Sequence, residues 1–106
     1  MAEPRRLQLQ LELENLMADR GPVFFEPDRN VRLRYPCIVY NLNNVDFTYT
    51  NDLTYIGRRQ YDLIIIDRDP DSDIPKLLEE HGFHMLSFDR AYIAENLHHF
   101  VYKLYY

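Results

Sequence analysis

The chain has 106 residues, of which 46% are hydrophobic and 27% are charged. This size and the apolar runs along the whole chain suit one globular domain with one core, so we predict a single domain over 1–106 and exclude a disordered acidic tail. The formal net charge of −5 has the wrong sign for neutralising phosphates, so we do not expect direct sequence-specific nucleic-acid binding.

The cysteine count and the apolar runs exclude further classes. Cys37 is the only cysteine, so neither an intramolecular disulfide nor a cysteine-based zinc cluster is possible. The first residues lack the apolar core of a signal peptide, and no apolar run approaches the roughly 20 residues that span a bilayer. We therefore expect a protein that is soluble when it is made and has no membrane partner.

An N-terminal helix is predicted over 5–19. Strong helix formers fill this range without a β-branched residue, and Gly21 and Pro22 follow as a stop signal. One helical face carries Leu9, Leu13, Leu16 and Met17. Leucines at positions 7, 9, 11 and 13 also alternate with polar residues, which is the period of a strand.

The middle of the chain is predicted to be strands. Short candidates, in chain order, are 23–26, 37–40, 45–49 and 53–56. The polar residues 41–44 are expected to end the second, and the last two form either a strand pair around a turn or a long hairpin arm. The clearest strand is 58–67, because Leu63–Ile66 is apolar on both alternating faces and should lie centrally in the sheet.

A short helix and two strands complete the predicted fold. The helix covers 74–81, with Asp73 as its N-cap and Gly82 as its stop. Strands are predicted over 83–89 and 97–106, separated by a polar stretch. This order indicates an α+β fold: a single antiparallel or mixed β-sheet with the N-terminal helix and the second short helix packed on it.

Four spaced carboxylates superficially resemble a calcium-binding loop: Asp67, Asp69, Asp71 and Asp73. An EF-hand loop that starts at Asp67 needs glycine at its sixth position and a bidentate glutamate at its twelfth. This chain has Ser72 and Leu78 there. We therefore interpret the segment as a solvated acidic turn that precedes a helix.

No other pattern indicates catalysis or a cofactor. His98 and His99 are adjacent on a predicted strand and point to opposite faces, and His81 and His84 lie on either side of a glycine, so the histidines lack ligand spacing. Cys37 lies in an apolar strand, as a buried inert thiol does. The carboxylates of Asp67 and Asp69 lack a third ligand or a base. We predict a protein that is not an enzyme and has no metal or cofactor.

Three segments resemble a family of small tailed-phage proteins, the tail-completion or tail-terminator proteins of the head–tail joining region. The segments are 35–40, 66–75, and 88–90 followed by 96–99. The resemblance extends over about 5–106. It implies an α+β virion subunit, made in the host cytoplasm, that assembles into a ring, commonly a hexamer. The ring caps the tail tube protein, meets neck or connector proteins with its other face, and needs no cofactor or active site.

A ring of identical subunits needs two different surfaces that fit each other. One candidate is a charge pair between Arg58, Arg59 and Arg68 and the acidic residues Asp69, Asp71 and Asp73. The second is the predicted arm around residues 44–57, with Asp46, Tyr49, Asn51, Asp52 and Tyr55. Nine tyrosines support an interface, because tyrosine suits surfaces that become buried on assembly.

Two other functions remain open on the sequence. A neck or connector protein between the portal and the tail has similar size and features. A small host-directed module that adds a tyrosine-rich strand edge to a partner's sheet belongs to a different class and predicts a stable monomer.

Overall fold

A computed structural model describes residues 5–49, 55–83 and 85–106, with the backbone alone at 5, 44–49 and 55–58. The elements are α1 (Arg5–Met17), β1 (Val23–Phe25), β2 (Cys37–Tyr49), β3 (Tyr55–Asp67), α2 (Ile74–Glu80), β4 (Leu86–Ala94) and β5 (Leu97–Tyr105). The strands form one mixed sheet in the order β1-β2-β3-β5-β4, in which β1 is parallel to β2 and the other neighbours are antiparallel. The predicted α+β class with a single sheet is confirmed.

Helix α1 buries the face that the helical period predicts. Leu9, Leu13 and Met17 are fully buried, whereas Leu11 is 55% exposed. The alternation of leucines is therefore not that of a strand. The helix ends at Met17, before the predicted stop, because Ala18 already has a left-handed φ of 49°.

Strand β3 lies at the centre of the sheet and contributes to both faces, as predicted. Leu63 and Ile65 join the main core beneath the two helices, whereas Ile66 joins a smaller cluster on the opposite face. Cys37 belongs to that smaller cluster and is fully buried. Burial, reinforced by the charge of Asp67, raises the pKa of the Cys37 thiol to about 11, which makes it a poor nucleophile.

Three predicted strand boundaries lie inside continuous strands; one is the gap between 53–56 and 58–67, which β3 spans. The polar residues 41–44 were expected to end a strand, but β2 absorbs them through a register shift between Leu42 and Asn44 and continues to Tyr49. The stretch 90–96 was expected to be a connection, but β4 starts at Leu86, later than predicted, and runs to Ala94. The turn is confined to residues 95 and 96, both with positive φ.

The second helix has the predicted position but not the predicted cap. The Asp73 side chain makes no capping hydrogen bond and instead lies 3.1 Å from Nη2 of Arg20. The hydroxyl of Ser72 accepts from the Ile74 amide at 3.3 Å. Gly82, with a φ of 96°, follows the helix as predicted. The hydrogen bond from Arg20, reinforced by its charge, lowers the pKa of the Asp73 carboxyl. The same contact joins the start of α2 to the segment that follows α1.

Tyr61 carries a polar group that the fold does not satisfy. Its hydroxyl is buried and has no hydrogen-bond partner among the residues that the structure describes. Its ring packs edge-on against Tyr40, with centroids 5.9 Å apart. We expect Tyr61→Phe to stabilise the fold by about 1 kcal/mol, because it removes the desolvated hydroxyl and keeps the ring. Urea unfolding measures this; a loss of stability would show that the hydroxyl has a partner.

Glu12 connects α1 to the C-terminal end of the chain. Its carboxylate accepts from the Tyr106 hydroxyl and contacts Nε2 of His81 at 3.1 Å. Partial burial alone raises the pKa of Glu12, but the hydrogen bonds from Tyr106 and His81 and the charge of His81 outweigh it. The pKa of Glu12 is therefore lowered.

A lowered folded pKa predicts a definite pH dependence for Glu12. Its contribution is fully present above the pKa of an unfolded glutamate, about 4.3, and is lost as the pH falls through the lower folded value. We expect Glu12→Gln to cost about 1 kcal/mol at pH 7, a modest amount because the group is partly exposed. Unfolding of both proteins between pH 7 and pH 3 tests this, and a difference that does not shrink with acid would contradict it.

Candidate interaction surfaces

The β2–β3 hairpin extends beyond the end of the sheet. Strand β5 pairs with β3 only from Gln60 onward, and β1 pairs with β2 only at 38–40. The ranges 45–49 and 55–59, which pair with each other, have no further strand alongside within the described part of the chain. We call this two-stranded ribbon the arm. The long hairpin arm was one of the two predicted alternatives for this region.

The arm contains most of the interface residues predicted for this region. Asp46 lies opposite Arg58 in the register, and Tyr49 lies opposite Tyr55, so the fold brings these four positions into two cross-strand pairs. Asn51 and Asp52 fall outside the described residues. The Arg59 carbonyl accepts from the Tyr106 amide at 3.0 Å, which marks the point where the arm leaves the sheet.

The second predicted set, the charge pair, is divided between the two ends of β3. Arg58 and Arg59 are at the arm end, whereas Arg68 and the acidic residues follow the other end. Eleven positions separate Arg58 from Asp69, which is about 35 Å of extended chain at about 3.3 Å per residue. Arg58 and Arg59 therefore do not meet these acidic residues within one chain, whereas Arg68 lies directly beside them.

The residues at the acidic end make local contacts. The Arg68 guanidinium lies 5.9 Å from the centre of the Tyr35 ring. A carboxylate oxygen of Asp69 accepts from the Asp71 amide at 2.9 Å, which is the local turn bonding expected of a solvated acidic loop. Asp69 and Asp71 remain exposed for contact with another molecule.

Strand β4 forms the most apolar exposed edge that the structure describes, and the sequence did not indicate it. Phe88 is 53% exposed and Ile93 is 66% exposed, and Tyr92 is also exposed. None of the described strands lies along the outer side of β4, because β5 pairs only with its inner side. A long apolar edge strand with free backbone groups is a template for pairing with another chain.

A bulge places a charge pair at the middle of this edge. The register of β4 against β5 shifts between Phe88 and Arg90, so Asp89 is the extra residue. Nη1 of Arg90 lies 2.7 Å from a carboxylate oxygen of Asp89. The Arg90 guanidinium also lies 5.8 Å from the centre of the Tyr92 ring, and that ring stacks on His99 at 4.6 Å.

The opposite edge of the sheet, β1, is protected. It is only three residues long, and the Gln10 side chain donates to the Val23 carbonyl at 3.2 Å. Glu26, just after β1, accepts from the Leu42 amide at 3.2 Å. The next free stretch on this side of the sheet is therefore the part of β2 that lies in the arm.

Neither a metal cluster nor a membrane span is found in the described ranges. No group of three or more His, Cys, Asp or Glu side chains among these residues is placed to hold a metal ion. His98 pairs with Ile93 of β4 and His99 with Tyr92. The two histidines therefore lie on opposite faces of the sheet, as predicted. No helix within the same residues has the length and apolar character needed to cross a membrane.

Comparison with known proteins adds no family assignment. No protein-family model matches the chain, and no curated protein matches its sequence. The resemblance to tail-completion and tail-terminator proteins stays a prediction, and the arm and the β4 edge are the features of the fold that bear on function.

Proposed function

We propose that the protein is a non-catalytic structural subunit of a tailed-phage particle, a tail-terminator or tail-completion protein. Copies of it form a ring, six in the implied assembly, at the head-proximal end of the tail. The ring joins the tail tube protein to the neck or connector proteins, and it needs no cofactor. The protein acts in the tail and neck region of the virion.

The arm is the observation that carries this proposal. A two-stranded ribbon without a third strand or a packed helix is at best marginally stable in water. Its length beyond the sheet therefore suggests that another molecule contacts it. The β4 edge supplies a second, chemically different surface on the same chain, and a head-to-tail ring requires two such surfaces.

Binding to the end of a tail tube tests the proposed role. Tubes assembled from the tube protein of the same phage are mixed with the purified protein and viewed by electron microscopy. We expect a cap at one end of each tube, and no binding to tubes that already carry their native terminator. Binding along the whole tube, or none at all, would contradict the proposal. Binding to the portal instead of the tube would indicate the neck or connector alternative.

The long free edge of β4 specifically favours one other function, a host-directed binding module. Such a module would add β4 to the sheet of a partner protein and would remain a monomer by itself. The two functions therefore differ in what the purified protein does alone. A monomer at every concentration, together with no affinity for tail tubes, would favour the module.

A further inference from the structure

We propose that β4 of one copy pairs, in antiparallel register, with the free β2 edge of the arm of the next copy. The inference deepens the proposed function and rests on its ring of copies, because it names the two surfaces that meet. The acceptor is the outer edge of β4, and the occupant is the range 44–49 of a second copy of this chain.

Strand direction makes the pairing antiparallel. Strand β4 runs antiparallel to β5, β5 runs antiparallel to β3, and β3 runs antiparallel to β2, so β4 and β2 run in opposite directions within one copy. Neighbouring copies keep that relation when the ring axis runs roughly along the strands. The free β4 edge and the free β2 edge also lie on opposite sides of the sheet, so each copy offers one edge to each neighbour.

Charge selects one register for this pairing. Asp46 is the acidic residue in 44–49, and Arg90 is the basic residue in β4. Opposite charges directly across an antiparallel pair stabilise it, and like charges do not. We therefore set Asp46 opposite Arg90.

The same register matches apolar residues on both sides of the charge pair. Val45 then lies opposite Ala91. Beyond the Asp89 bulge, Phe47 lies opposite Phe88, and the pairing continues to Tyr49 opposite Leu86. The contact would cover Phe88, which is 53% exposed in the isolated chain.

The geometry of this register is compatible with a closed ring. Arg90 is level with Val39 across the sheet, through Val101 and Ile64. In the proposed contact, Arg90 lies opposite Asp46 of the next copy, which is further along β2 than Val39. Six regular strand positions, not counting the β2 bulge, separate Val39 from Asp46, so the next copy is displaced by about 20 Å along the strands.

The next copy lies four strand spacings away, about 19 Å at about 4.8 Å each. For the ring to close without a step, the strands must be tilted from the ring axis by the angle whose tangent is the displacement divided by this width, which is about 45°. Closed sheets use tilts of about 35–45°. With tilted strands, all copies therefore lie at the same height along the ring axis, and the ring can close.

Disulfide trapping between single-cysteine variants tests the register. Val45→Cys is mixed with Ala91→Cys, and Thr48→Cys with Ser87→Cys, at the highest soluble concentration under mild oxidation. The mismatched mixtures, Val45→Cys with Ser87→Cys and Thr48→Cys with Ala91→Cys, are the controls. The native Cys37 gives little background, because it is fully buried and its thiol pKa is raised to about 11.

We expect about tenfold more crosslinked dimer in the matched mixtures than in the mismatched ones, because a disulfide requires Cβ atoms about 4 Å apart. Dimers formed by Ala91→Cys alone would show that β4 pairs with β4 and would overturn the proposal. Equal crosslinking in all mixtures, or none in any, would also overturn it.

The tail-tube assay separates this inference from the proposed function. Matched crosslinks without binding to tube ends would leave the strand pairing intact and refute the phage role. Binding to tube ends without matched crosslinks would keep the phage role and refute this interface.

Discussion

Replacing Gly21 with alanine is expected to destabilise the protein by about 3 kcal/mol, as overpacking at a rigid site does. A Cβ atom on Gly21 would lie 1.9 Å from the carbonyl oxygen of Pro36. The obstructing atom belongs to the backbone, so no side-chain rotation relieves the clash. The adjacent Pro22 carbonyl accepts from the Ile38 amide at 3.1 Å, so moving this segment would also disturb the start of the β1–β2 pairing.

Gly82→Ala is the matched control for this substitution. A Cβ atom there meets nothing within 4 Å, although Gly82 has a φ of 96°. Its cost is therefore conformational strain alone, about 1 kcal/mol. Urea unfolding followed by circular dichroism ranks the two variants. A larger loss for Gly82→Ala than for Gly21→Ala would show that the close approach of Pro36 is not what requires glycine.

Leu13→Ala is expected to cost about 3 kcal/mol, in the usual range for a buried leucine. Leu13 is fully buried and belongs to the main core, between α1 and the sheet. The substitution removes its contacts there and leaves a cavity that the surrounding strands cannot fill. The free energy of unfolding at pH 7 measures the loss.

Leu11→Ala on the same helix controls for the change in helix propensity. Leu11 is 55% exposed, so its truncation should change stability by no more than about 0.5 kcal/mol. Equal losses for Leu11→Ala and Leu13→Ala would contradict the placement of the buried face of α1.

Elements with complete local signals were predictable from the sequence. The buried face of α1 follows from the helical spacing of Leu9, Leu13 and Met17, and the central place of β3 follows from the apolar run at 63–66. Gly82 marks the end of α2 through the positive φ that glycine tolerates best. In each case, one local pattern and the tertiary fold favour the same structure.

The failures occur where tertiary pairing overrides local composition. Asparagines at 41, 43 and 44 indicate a break, yet pairing with β3 carries β2 through them, with a bulge. Residues 90–94 were misread as part of a polar connection, although only Arg90 is charged and Tyr92 and Ile93 are common strand residues. Asp73 has the position and chemistry of an N-cap, but Arg20, which is distant in the sequence, binds its carboxylate.

The candidate site was predictable only in part. The arm follows from the strand-forming residues on both sides of 50–52, and its register then pairs Asp46 with Arg58. The β4 edge had no such signal, because which strand lies last in a sheet depends on strand order and not on local sequence. Only the strand order shows that the exposed Phe88 and Ile93 lie on a strand at the edge of the sheet, where another chain could pair.

The mass of the purified protein in solution tests the central claim most directly. Light scattering across a concentration series compares the particle mass with the 12.9 kDa chain. We expect one discrete multimer whose fraction increases with concentration while the fraction of monomer falls. A mass of six chains would match the proposed tail terminator. A strict monomer that also fails to cap tail tubes, or an open-ended series of aggregates, would contradict a closed ring built from the arm and β4.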